Sequence, residues 1–126
     1  MATTTTTPAS LAPLVWGLQP PPGTSVAWGA RAISDHGALD LLYDRQSAVG
    51  SKADKQRLQV ALDRLLPLAR EEWRSRYQRG EVRSDEERRV VLVNDGEWTV
   101  EADTRGSCGY VYLVAYAKPS AAEPGA

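Results

Sequence analysis

Between Thr24 and Lys118 the spacing of apolar positions changes several times, and each change predicts an element. "TSVAWGARAIS" and "ALDLLYDRQ" are short apolar runs on either side of the turn residues "DHG", the pattern of a β-hairpin. From Ser51 the period becomes helical, with Leu58, Leu62, Leu65, Leu66, Ala69, Trp73 and Tyr77 recurring on one face. Ser51 followed by Asp54 makes an N-terminal cap, and Gly80 supplies a stop. Pro67 falls inside this run, where it removes a backbone hydrogen bond and predicts a kink or a break.

Alternation returns in "RRVVLVNDGEWTVEAD", where Asp95-Gly96 is a favoured pair for a tight type I′ turn between two strands. A two-residue turn there sets Val93 opposite Trp98, Val91 opposite Val100 and Arg89 opposite Ala102, leaving Leu92, Thr99, Val90 and Glu101 on the other side. After the loop "TRGSCG", residues 110–117 form one more strand. The predicted architecture is α+β, with the order ββαβββ: a mostly antiparallel sheet of about five strands and one long kinked helix across one face. Its core pairs Leu58, Leu62, Leu65, Ala69 and Trp73 with Trp28, Val91, Val93, Trp98, Val100 and Leu113.

The flanks are different in kind. Residues 1–23 begin as a Thr-rich tail and continue as "LAPLVWGLQPPPG", an apolar strap carrying Leu11, Leu14, Val15, Trp16 and Leu18 before a stiff proline spacer. Residues 24–118 form a single domain, and 119–126 read as a disordered tail, as does the opening of the chain.

Composition narrows the functional classes. A net charge of −1 over 126 residues, with 25% charged residues, argues against a protein that coats nucleic acid or an anionic membrane. The single cysteine cannot make an intrachain disulfide, and no secretory leader pattern opens the chain, so a cytoplasmic location is expected. No run approaches the apolar length of a membrane span.

Three features carry candidate chemistry. Alternation in the last strand sets Tyr110, Tyr112 and Tyr116 with Val114 on the side opposite Val111, Leu113, Ala115 and Ala117. That face is either an aromatic binding surface, able to pair two copies as a homodimer if the strand lies at an edge, or the seat of the strap carrying Trp16. The helical segment 51–79 holds eight basic and four acidic residues, a local +4, with Asp54–Arg57, Glu71–Arg74 and Glu72–Arg76 at pairing distance and Arg64 and Arg70 left over to bind. Cys108 has only His36 as a possible base, and neither a metal site nor a phosphate loop or dinucleotide motif is present, so no cofactor is expected. Asp40, Asp44, Glu97, Glu101 and Asp103 read as exposed strand carboxylates. The reading these features support is a small non-enzymatic protein-binding module of adaptor or inhibitor type, such as phages and mobile elements carry, acting through the aromatic face or the helix. The alternatives are a nucleic-acid binder using the basic helix 51–79 and a small enzyme using Cys108 and His36.

Overall fold

The computed structural model describes residues 13–83, 88–105 and 109–117, with the backbone alone at 43–45. The two terminal tails, the loop residue Cys108 and the side chain of Asp44 lie outside the described residues. Five strands and one helix follow a short 3-10 turn at Val15–Gly17: β1 (Val26–Asp35), β2 (Ala38–Gly50), α1 (Lys52–Gln78), β3 (Arg89–Asn94), β4 (Trp98–Asp103) and β5 (Tyr110–Ala117). They form one antiparallel sheet in the order β2-β1-β5-β4-β3. The predicted α+β order is the observed one.

The first hairpin closes through His36 and Gly37, both at positive φ (53° and 91°), between the paired residues Asp35 and Ala38. Two positive φ values in a two-residue loop match the right-handed twist of the flanking strands. The second hairpin departs from its predicted register. The Asp95 carboxylate accepts hydrogen bonds from the Glu97 and Trp98 amides (3.0 and 2.8 Å), and the Asp95 amide donates to the Trp98 carbonyl, so the loop is wider than two residues. Asn94 consequently pairs with Thr99, and Val93 with Val100. A bulge between Val91 and Val93 then takes back one of the two residues by which the turn displaces the register, so Val91 pairs with Glu101. This corrects the predicted core: Val91 is 42% exposed, while Leu92, assigned to the other side, is buried. The remaining predicted core residues all lie in the cluster between α1 and the sheet.

Helix α1 begins where the Ser51 hydroxyl accepts the Asp54 amide at 3.1 Å. It ends in a Schellman arrangement, with the Gly80 amide on the Tyr77 carbonyl and the Glu81 amide on the Arg76 carbonyl. Of the kink or break predicted at Pro67, no break occurs: helix runs from Lys52 to Gln78 through the proline. The carbonyl that loses its donor is that of Asp63, four residues back, and both residues lie on the solvent side, where water replaces the missing bond. The opposite side buries Leu58, Ala61, Leu62, Leu65, Ala69 and Trp73 against Trp28, Ala30, Val100, Leu113 and Ala115. Two indole N–H groups in this layer find acceptors, Trp28 in Gln46 Oε1 (2.9 Å) and Trp73 in Ser34 Oγ (3.0 Å).

Two measurements test this packing. Leu62→Ala or Leu65→Ala should lower unfolding free energy by about 2–5 kcal/mol in denaturant titration, because each leaves a cavity in the helix–sheet interface. An unchanged midpoint in both would refute the interface. Asp95 titrates at about 2 instead of 3.8, held down first by the Trp98 amide and then by Arg64 and the Glu97 amide. A depressed folded pKa stabilises the fold above the unfolded value and loses that effect as pH falls. Stability should therefore drop between about pH 4 and pH 2, and Asp95→Asn should flatten that part of the profile.

Candidate functional site

The last strand is central, not an edge. β5 has β1 on one side and β4 on the other, so its backbone groups are already paired and it offers no template for a second copy. The tyrosines do share one face, opposite the helix, but the strap lies over them: Tyr112, Val114 and Tyr116 pack with Leu14, Leu18 and Ala27 in a second apolar cluster. Of the three, Tyr110 alone remains open, at 37% exposure.

Gly29 makes this seat. A Cβ at that position would sit 3.0 Å from Leu18 Cδ1 and 3.1 Å from Leu14 Cδ1, so the two strap leucines rest on bare β1 backbone. Between them the chain turns through Trp16 in the left-handed region (φ 66°, ψ 18°), an uncommon conformation for a bulky residue that the surrounding contacts must hold. Those contacts are largely cation–aromatic. The Arg31 guanidinium lies between the Trp16 ring (4.1 Å) and the Tyr110 ring (4.6 Å), and Arg105 lies over Tyr112 (4.9 Å) while donating to the Trp16 carbonyl. Trp16 and Tyr112 meet at 6.1 Å with their planes at 60°, and the Val15 amide donates to Ser47 Oγ at 2.8 Å. At the far end, the Tyr116 hydroxyl donates to Glu101, which also accepts from Arg89. Burial, reinforced by that carboxylate, pushes the Tyr116 phenol up to about 12.

On the opposite layer the solvent side of α1 is continuous and unevenly charged. Arg57 pairs with Asp54 (2.7 Å) and Glu97 (2.6 Å), Arg64 with Asp95 (2.7 Å), Arg76 with Glu72 (2.7 Å) and Arg79 with Glu81 (2.6 Å). Arg64, expected to be spare, is thus engaged by the β3–β4 loop. The anticipated Glu71–Arg74 pair does not form, and Arg70 and Arg74 make no ion pair with any described residue. Both line a groove of about 440 Å³ against Gly37, Ala38, Leu39 and Asp40. Between the Arg57 and Arg64 pairs stands Val60, 73% exposed, at a shallow apolar depression shared with Ala53, Ala61 and Trp98.

His36 occupies the exposed β1–β2 turn, its side chain 91% accessible and 3.5 Å from Asp35. That turn and Gly109, which leads into β5, lie at one end of the sheet, since the Ser34 amide donates to the Gly109 carbonyl at 2.8 Å. Cys108 itself is outside the described residues, and among those described no group of three metal-ligating side chains occurs. Sequence reasoning missed Arg31, Arg105, Val60 and Arg74. A glycine in the middle of the apolar run "VAWGARA" was the available signal for the strap's seat.

Filling that seat tests it. Gly29→Val should force Leu14 and Leu18 off the sheet, lowering stability by about 1–3 kcal/mol and increasing binding of a hydrophobic dye, while the helix signal in circular dichroism persists. A variant with wild-type stability and dye binding would show that the strap does not depend on Gly29.

The match to known proteins covers both layers and the strap. Residues 14–118 fit the family model described as CbeA antitoxin, type IV, cytoskeleton bundling-enhancing factor A, a span that begins at the first buried strap leucine and ends just after β5. Similar proteins of Escherichia coli strain K12 include Antitoxin YfjZ, 36% identical over 101 residues that make up 80% of this chain and 91% of that protein. Cytoskeleton bundling-enhancing antitoxin CbeA is 33% identical over 82% of this chain and 81% of its own length. Antitoxin YafW is 35% identical over 70% of this chain and 81% of its own. With the strap, the helix and all five strands inside the matched span, this chain belongs to the CbeA family of type IV antitoxins.

Proposed function

We propose that the protein is a non-enzymatic antitoxin that acts in the cytoplasm by binding a cytoskeletal filament protein, using the solvent side of α1. The family supplies the class of partner, since its model and the CbeA relative are both described as enhancing cytoskeleton bundling. One observation carries the choice of surface: the sheet is covered on both faces, by α1 and by the strap, while Val60 stands 73% exposed on the helix. An apolar centre ringed by ion pairs is the arrangement that gives a protein interface its energetic focus. Nucleic acid fits the helix less well, because four of its arginines are already neutralised by carboxylates.

Cosedimentation with polymerised actin-like and tubulin-like bacterial filaments tests this reading, with high-speed pelleting reporting binding and low-speed pelleting reporting bundling. The wild-type chain should pellet with one class of filament. Val60→Glu should weaken that binding about tenfold or more at unchanged thermal stability, as expected for a central apolar contact. Failure of the wild type to pellet with either class, or full binding by Val60→Glu, would overturn the proposal. Cys108→Ser and His36→Ala should both bind as wild type; loss of function in either, with folding intact, would instead point to thiol chemistry.

A further inference from the structure

We infer that Arg70 and Arg74 are the charged anchor of this surface, gripping a carboxylate-bearing extended segment of the filament protein in the groove between α1 and the free edge of β2. The inference rests on the proposed function and adds the chemistry of contact. The other arginines from the middle of α1 to its C-terminal cap are engaged: Arg64 by Asp95, Arg76 by Glu72 and Arg79 by Glu81. Arg70 and Arg74 stand one turn apart on an exposed face, a spacing at which like charges destabilise a helix, and among the described residues neither makes an ion pair. Their guanidinium groups are neighbours on the helix surface, so a single carboxylate or two closely spaced ones can be held by both through charge-assisted hydrogen bonds.

The groove also decides what kind of molecule carries the carboxylate. Its walls include Asp40 and Glu71, which repel a uniform polyanion such as a nucleic-acid backbone. A protein segment avoids that repulsion by placing an acidic side chain toward the arginines and a neutral or basic one toward Asp40. The opposite wall is the strand β2, which has a hydrogen-bonded neighbour on one side only, so an extended segment meets unpaired backbone as well as charge. At about 440 Å³ the groove holds a few side chains rather than a folded element.

The experiment repeats the filament pelleting assay with Arg70→Glu/Arg74→Glu, Arg70→Lys/Arg74→Lys, and the control Lys52→Glu/Lys55→Glu at the other end of the helix, each at low and physiological salt. All four side chains are exposed, so circular dichroism and thermal melting should match wild type. The charge reversal should weaken binding about tenfold or more and remove most of its salt dependence, the lysine pair should recover part of it, and the control should stay within about twofold. Wild-type binding that survives the reversal would overturn the inference and leave the proposed function standing. A wild type that does not pellet sinks both. Equal losses in the reversal and the control would show diffuse charge in place of a site, and duplex DNA binding abolished by the reversal would assign the groove to nucleic acid; either result overturns the inference.

Discussion

The antiparallel pairing of β1 with β5 is the contact on which the rest depends. It joins the first hairpin to the last strand, from Ala27 opposite Tyr116 to Ile33 opposite Tyr110, and so merges two local hairpin systems into one sheet. Without it neither apolar layer has a floor: Trp28, Ala30 and Ala32 meet Leu113 and Ala115 beneath the helix, and Ala27 and Gly29 meet Tyr112, Val114 and Tyr116 beneath the strap. Where β1 and β5 are covered on both sides, over residues 26–32 and 111–117, their side chains are aliphatic or aromatic on both alternating positions, the exception being Arg31, whose guanidinium lies against two aromatic rings.

Elements set by neighbouring residues were legible in the sequence. The cap at Ser51, the stop at Gly80, the helical stripe and the alternation in β5 all depend on short-range spacing, and each was read with the right face inward. What was not legible came from contacts between distant residues. Alternation tells which residues of β5 share a side but not which strands flank it, so the strand was taken as a candidate edge when it is central. The Asp95 carboxylate widens its turn because it caps two amides and meets Arg64 across the layer, an interaction invisible to a turn rule based on two residues. The same contact removed Arg64 from the supposed spare charges.

The distribution of charge then separates scaffold from surface. Arg57 and Arg64 tie the helix to the β3–β4 hairpin, Arg79 closes on Glu81 just beyond the helix end, and Arg31 and Arg105 hold the strap. These arginines fasten one part of the chain to another, and their exposure keeps each individual pair weak. Arg70 and Arg74 fasten nothing within the described residues, which is why a nearly neutral protein can still present a local positive anchor.

The strap has a consequence for how the chain matures. Its residues leave the ribosome before any strand of the sheet, yet the tyrosines that receive them belong to β5, which is synthesised after the other four strands. Until translation reaches that strand, Leu14, Trp16 and Leu18 have nowhere to bury themselves and remain accessible to chaperones and proteases. Docking of the strap thus requires β5, and any chain cut short before that strand keeps the apolar strap uncovered.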